Sequence, residues 1–345
     1  MRVGVVVYGP LDCRSGGYLY DRRVADGLRA RGDTVVRVSL PETGPRRALA
    51  HNLRPAVRRR LAALDVDVLL VDELCHPSLA FCPLPAPAVA VVHHLRASEP
   101  GSAPRRRVDR ALERRFLARC DAYVCNGETT RATVAELVDP HPVVVARPGW
   151  NRLVDGPPEG AAPRDPDAPL RVVTVGTVLP RKGHPTLLDG LARVDAPWTL
   201  DVVGSTPAPG YVAALRARTA ALGVADRVRF RGRVSDDRLC ERLRDADVFA
   251  MPSTYEGYGI AALEAMGVGC PVVASAAGGA REFVDGENGV LVDPGDAAGV
   301  ARAVGRYARD PAALGAATEA ALETVRAHPT WTETATRVRA FLRSL

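Results

Sequence analysis

Lysine is all but missing from this chain: of 46 basic side chains a single one, Lys182, is a lysine. Arginine elsewhere fits the codon bias of a GC-rich genome. It also makes the survivor conspicuous, because a compact ammonium and a planar guanidinium are not interchangeable at a phosphate. The seven cysteines are irregularly spaced and form no CxxC pair, which removes a disulfide framework and a zinc site and leaves reduced, mostly buried thiols. No apolar run approaches the roughly 18 residues of a membrane span. The opening MRVGVVVYGP reads as a buried strand and a turn rather than a leader, so the expected location is cytoplasmic. Aromatics make up 5% of the chain and no face interleaves them with basic residues, so a net charge of +6 does not point to nucleic acid. YGPLDCRSGGY, after the first strand, lacks a GxGxxG spacing, which argues against a dinucleotide-binding protein. Asp65 and Asp67 come nearest to a DxD metal pair, but they open a strand, where a solvated edge explains them. No metal site is expected.

What is present is a long alternation of strand and helix. With 345 residues the chain can bury two cores. Strand-like runs at Val3–Tyr8, Thr34–Ser39, Asp67–Val71, Ala88–Val92, Ala122–Cys125 and Val143–Ala146 are interleaved with helical stretches such as Tyr18–Arg31, Val108–Ala118 and Glu128–Val138. This pattern asks for a parallel sheet covered on both faces. Residues 155–169, DGPPEGAAPRDPDAP, have no apolar period and read as a linker. The alternation restarts at Arg171–Val175, Thr199–Val203, Val228–Arg231, Val248–Ala250 and Val272–Ala274. The expected fold class is therefore α/β: two doubly wound Rossmann-like domains, 1–154 and 170–328, facing across a cleft. A helix from Trp331 closes the chain, and residues 329–345 are expected to pack back on the first domain.

The richest segment is PSTYEGYGIAALEAMGVGCPVVASAAGG, Pro252 to Gly279. It sets Glu256 and Glu264 eight positions apart around a glycine turn that opens a helix. Glycines at 257 and 259 bring unpaired backbone amides near that helix start. Two acids beside it would accept hydrogen bonds from neutral polyol hydroxyls but would not suit a bare phosphate. The combination reads as a pocket for a nucleotide joined to a sugar. Lys182, in GTVLPRKGHPTLL between a strand and a helix, supplies the cation.

Taken together these motifs resemble the retaining GT-B glycosyltransferases of family 4. GTVLPRKG, VVG at Val202–Gly204, RFRGRV, the acid pair and the GG turn occur in the family's order. In the first half, SGGY (Ser15–Tyr18) and VVHHLRASE (Val91–Glu99) resemble its glycine loop and its histidine segment. The resemblance implies roles. Arg181 and Lys182, with Gly176 opening their loop, would neutralise the donor diphosphate, and Glu256 would hold the transferred sugar. Gly257, Tyr258, Gly259 and Ile260 would bring amides to sugar and phosphate, Glu264 would hold the ribose, and the backbone near Arg233 and Val234 would edge the base. Gly16 and Gly17 would approach the diphosphate as the cleft closes. His93 or His94, at a strand's carboxyl end, would face sugar or acceptor. In one departure, Thr177 stands where many members carry arginine, which shifts diphosphate charge onto Arg181 and Lys182.

The implied reaction transfers a hexose from a UDP-, GDP- or other nucleoside diphosphate sugar to an acceptor hydroxyl, with retention and without a metal or further cofactor. The acceptor is left open among a small molecule, a saccharide and a lipid. Arg54–Leu64 and Arg105–Phe116 are arginine-rich amphipathic stretches, either solvated faces or a peripheral contact with the inner membrane face. Asp72, Glu73 and His76 also follow a strand end and are secondary acceptor candidates. Competing readings are a GT-B sugar-nucleotide epimerase or phosphorylase, and a non-catalytic Rossmann protein.

Overall fold

Short β-branched runs bounded by turns build the first unit. Its strands are β1 (Arg2–Tyr8), β2 (Thr34–Leu40), β3 (Val68–Asp72), β4 (Ala88–Val92), β5 (Ala122–Cys125) and β6 (Val143–Val145). A computed structural model, describing residues 1–11, 15–158, 160, 165 and 168–345, places them in one parallel sheet of order β2-β1-β3-β4-β5-β6. Strands β3, β4 and β5 are buried at every residue, as a sheet covered on both faces requires. The covering helices are α1 (Gly16–Arg29), α2 (Pro45–Ala48), α3 (Pro55–Ala62), α4 (His76–Leu79), α5 (Ala103–Leu117) and α6 (Glu128–Ala135). Leu69, Val71, Leu79, Phe116, Leu117 and Tyr123 form the heart of this core.

The second unit repeats the plan. Strands β7 (Leu170–Val175), β8 (Trp198–Val203), β9 (Val228–Gly232), β10 (Val248–Met251), β11 (Val272–Ser275) and β12 (Gly289–Val292) form a parallel sheet of order β12-β11-β10-β7-β8-β9. Sequence reading had no strand at β12, a four-residue edge with only its two ends buried. Helices α7 (His184–Leu191), α8 (Pro209–Ala221), α9 (Asp236–Asp245), α10 (Ile260–Met266), α11 (Ala297–Arg309) and α12 (Pro311–Ala327) cover it. One apolar layer gathers Leu187, Leu191, Trp198, Val300 and Tyr307, the other Phe249, Leu263, Met266, Ala321 and Val325.

The chain divides into Met1–Pro148 with Thr330–Leu345, and Gly149–Pro329. The sequence boundary at 154 lies six residues beyond the structural one at 148. The reason is Trp150, which packs in the second core so closely that a Cβ on Gly267 would stand 2.9 Å from its ring. Of the expected linker, residues 159, 161–164 and 166–167 lie outside the described residues, as does Cys13; the six described cysteines are free and buried.

The last helix, α13 (Trp331–Arg343), belongs to the first unit. A capping box between Thr330 and Glu333 starts it. Arg339 Nε lies 2.5 Å from Asp33, which also takes the N-terminal ammonium at 3.0 Å. Thr334 donates to the Arg147 carbonyl at 2.6 Å, and the Trp331 ring meets Tyr20 edge-on at 5.9 Å. Gly27 allows α1 and α13 to touch, because a Cβ there would overlap that of Ala335. Gly27→Val should therefore cost about 1–3 kcal/mol by overpacking. A denaturant melt would read this as a lower midpoint, and an unchanged midpoint would mean that α13 is not seated on α1.

Candidate active site

Doubly wound parallel sheets bind ligands beyond their strand carboxyl ends, where the strand order reverses. In the second unit that point lies between β7 and β10. The chain leaves β7 for β8 on one side and β10 for β11 on the other, so their loops splay apart and leave room. Lys182 and Glu256 stand on these two loops. Gly183, at φ +70°, lets the loops press together, since any Cβ there would overlap the Pro252 carbonyl. The Thr254 amide donates to the Arg181 carbonyl at 2.7 Å and fixes the register.

Lys182 Nζ meets Glu256 Oε2 at 2.5 Å, the Ser253 hydroxyl donates to the same oxygen at 3.3 Å, and an Arg181 nitrogen stands 3.9 Å away. Gly176 leaves space beside the lysine stem, its Cβ position lying 3.4 Å from Lys182 Cε. Burial pulls the Lys182 pKa below its ordinary 10.5, with the Glu256 charge opposing and Arg181 assisting. Thr177 receives a hydrogen bond from Ser205 at 3.3 Å.

Glu256 is pinned from behind. It forms a parallel bridge to Gly278, where a Cβ would overlap the Glu256 carbonyl, and one on Gly279 would overlap that of Gly257. The turn 257–259 then enters α10 through Gly259 at φ +99°. Tyr258 turns its ring into the core, 5.4 Å from Phe283 and 5.9 Å from His328, so only its backbone faces the turn. Glu264 sits one helical turn past Ile260 and is buried. Both its oxygens are held by Arg152, through Nε and, at 2.8 Å, through Nη2. The third nitrogen of Arg152 reaches Asp236, the first residue of α9, at 2.9 Å. Asp236 thereby sets the loop of exposed Arg233 and half-buried Val234 beside Glu264.

The first unit gathers a second group where its order reverses between β1 and β3. Gly16 and Gly17 form the first turn of α1 rather than a loop before it, because Ser15 caps the helix by accepting from the Tyr18 amide. Gly17 lies over the His93 ring, and a Cβ there would stand 2.9 Å from Cδ2. His93 Nε2 bonds Asp21 Oδ1 at 3.0 Å, both buried, and its carbonyl accepts from Asn126 at 2.8 Å. His94 Nε2 bonds Glu99 at 3.1 Å and is half-buried. Glu73 and His76 are wholly buried with Glu113, out of reach of an acceptor in solution.

Two groups, Asp21–Asp72–His93 and Glu73–His76–Glu113, hold their ligand atoms within 4.8 Å of one another among the described residues. That spacing suits shared protons or a cation. Burial lifts the Asp72, Glu73 and Glu113 carboxyls above the ordinary range; the charge of Asp21 adds to it for Asp72, and that of Glu73 for Glu113. For His93, burial acts downward, but the charge and hydrogen bond of Asp21, with Asp72 and Glu73, outweigh it and push the ring up to about 9.

Three side chains of these groups escaped the sequence reading. Asp21 is an acid inside the buried stripe Leu19, Tyr20, Val24, Ala25, Leu28 of α1, and that misfit was its signal. Glu113 interrupts the buried face of α5 in the same way. Arg152 carried no signal among so many arginines.

Two family models match the chain. The model described as Glycosyltransferase Family 4 matches residues 3–152, and that described as Glycosyl transferases group 1 matches 169–310. The chain is 38% identical over 223 residues to a D-inositol 3-phosphate glycosyltransferase of Geodermatophilus obscurus, covering 59% of this chain and 50% of that protein. It thus spans about half the length of the curated relatives it matches. Among solved structures it is similar to sucrose-phosphate synthase from Thermosynechococcus elongatus (TM-score 0.84, 22% identity, 99% and 98% of the two chains). It is also similar to Anabaena HepE in complex with UDP-glucose (TM-score 0.79, 21% identity, all of both chains). These likenesses carry the GT-B fold.

A pH prediction follows from the His93 pair. A folded pKa of about 9 against an ordinary 6.5 means stability fully present below pH 6.5 and lost as pH rises through 9. The loss is on the order of 3 kcal/mol. In Asp21→Asn the ring loses its hydrogen-bonded partner and that slope should shrink, Asp72 and Glu73 alone remaining to raise it. Denaturant unfolding of both proteins at several pH values between 6 and 10 checks it; identical slopes would contradict a charged His93.

Proposed function

From the chain's membership of the family 4 glycosyltransferases of GT-B fold, we propose that it transfers a hexose from a nucleoside diphosphate sugar to an acceptor hydroxyl. The observation that carries this is the Lys182–Glu256 pair at the reversal point of the second sheet, with Glu264 eight positions beyond Glu256, in the helix that the glycine turn opens. A diphosphate competes with Glu256 for the ammonium. Once Lys182 and Arg181 turn to the diphosphate, the Glu256 carboxylate is released to accept hydrogen bonds from sugar hydroxyls. Glu264 takes the ribose, and the Arg233–Val234 backbone edges the base. The UDP-glucose complex of Anabaena HepE supports a uridine donor.

In the reaction the anomeric C–O bond breaks and its electron pair leaves with the diphosphate. Pre-placed cations stabilise that charge, each such contact being worth about 2.7–4 kcal/mol in comparable anion holes. The acceptor oxygen bonds the anomeric carbon, and its proton passes to the departing phosphate oxygen. This same-face course retains configuration and needs no metal. His93, held charged, serves as a hydrogen-bond donor to sugar or acceptor rather than as a base, with His94 beside it; Gly16 and Gly17 keep the backbone over that ring open.

A lipid acceptor is favoured by arginine-rich helices and exposed apolar residues of the first unit. Helices α3 and α5 are arginine-rich, Arg115 stacks 4.3 Å over Phe81, and Leu53, Phe81 and Val108 are exposed at 81%, 48% and 57%. No helix among the described residues is long and apolar enough to cross a membrane, so contact would be peripheral. Co-sedimentation with anionic vesicles at low salt is the expected result for a lipid acceptor, and its absence points to a soluble one.

The donor assignment is tested by assaying nucleoside diphosphate release from UDP-glucose and GDP-mannose, with and without acceptor. Glu256→Ala and Lys182→Ala should each reduce turnover by at least about 100-fold; each leaves its partner unpaired and lowers the melt, so both are assayed at a temperature where far-UV circular dichroism shows them folded. Unchanged rates in both variants would overturn the site.

A further inference from the structure

We propose that Arg152 is a positioning residue of the donor site, fixing the Glu264 carboxylate so that its free lone pairs meet the vicinal hydroxyls of a ribose. The inference rests on the assignment of Glu264 to the donor ribose and adds a selectivity to it, for ribonucleotides over 2′-deoxyribonucleotides.

The geometry is a parallel fork. Nε faces one carboxylate oxygen and Nη2 the other, the pairing that only a guanidinium makes. An ionised carboxylate offers about four acceptor positions. The fork uses two, which leaves one on each oxygen for two adjacent O–H donors. The Glu264 side chain is 3% exposed and that of Arg152 10%. Without the fork, Glu264 would be a buried charge with no partner and nothing to hold its two oxygens towards a diol.

Arg152 is itself held on three sides. Its own amide donates to the Trp150 carbonyl at 3.0 Å, and the Trp150 ring is wedged against Gly267 at the end of α10. Nη1 is tied to Asp236 at 2.9 Å. The arginine therefore links three places, the turn after Pro148, the acid on α10 and the start of α9, with the base-edging loop two residues before Asp236. An arginine serving only to join two elements would not need a buried bidentate partner that is also the acid assigned to the ribose. Asp236, 45% exposed, completes the clamp from the solvent side.

Calorimetric titration of UDP against 2′-deoxy-UDP, and of GDP against 2′-deoxy-GDP, reads the selectivity directly, with donor KM and kcat measured alongside. Wild type should prefer the ribonucleotide. Arg152→Lys, which keeps charge but not the fork, and Arg152→Gln should raise donor KM roughly 10- to 100-fold with kcat changed much less, and should shrink the ribose preference towards unity. Asp236→Asn should do the same to a smaller degree. A folded Arg152→Lys protein with parental KM and parental ribose preference would overturn the role of Arg152 while leaving the donor site intact. A wild type that binds none of the four nucleotides would overturn the donor assignment itself, and this proposal with it.

Discussion

A buried ammonium held 2.5 Å from a carboxylate, where a parallel sheet reverses its order, governs how the second unit is built. Neither partner could sit there alone, because an unpaired buried charge costs several kcal/mol. Keeping them together requires two loops from neighbouring strands to lie backbone against backbone. That is why glycine occupies 183 and 278, where any side chain would overlap a carbonyl of the facing segment. The same contact explains the one lysine in an arginine-rich chain. A flexible stem with a point charge packs beside Gly176, whose Cβ position lies 3.4 Å from Lys182 Cε, and delivers a single ammonium to one carboxylate oxygen.

The second acid is secured differently. Glu264 lies on the helix that the glycine turn starts, and its countercharge comes from outside the motif, from a turn that the second core claims through Trp150. The two glutamates are thus both ion-paired, one by a lysine that an anion can draw away and one by an arginine locked in a fork. A site so arranged holds its charges in balance, and the proposed exchange with a diphosphate requires only the lysine pair to open. The first unit follows a related logic at its own reversal point, where Asp21 and Asp72 lie beside one imidazole and, with the charge of Glu73, push its pKa up against burial.

Much of this was legible in the sequence because its carriers are local. Glycines at 257, 259, 278 and 279, the strand runs on either side, and Lys182 between a strand and a helix all announce themselves within a few residues. The pairs that complete the site are not local: Asp21 is 72 positions from His93, and Arg152 is 112 from Glu264. Neither period nor composition connects such residues, and one arginine among dozens gives no hint of its partner. The domain boundary was misplaced for the same reason, since the packing of Trp150, Leu153 and Val154 and the distant partners of Arg152 join residues 149–154 to the second unit. Strand β12 was missed because four residues at a half-exposed edge carry too short a pattern to read.

The central claim is that Glu256 trades a lysine for a sugar. Calorimetry on Glu256→Gln and its parent, each titrated with free UDP and with UDP-glucose, tests that exchange. If the exchange occurs, losing the carboxylate frees Lys182 and Arg181, so UDP binds as tightly as before or tighter while UDP-glucose binds more weakly. Equal weakening of both ligands, or no change in either, would contradict it.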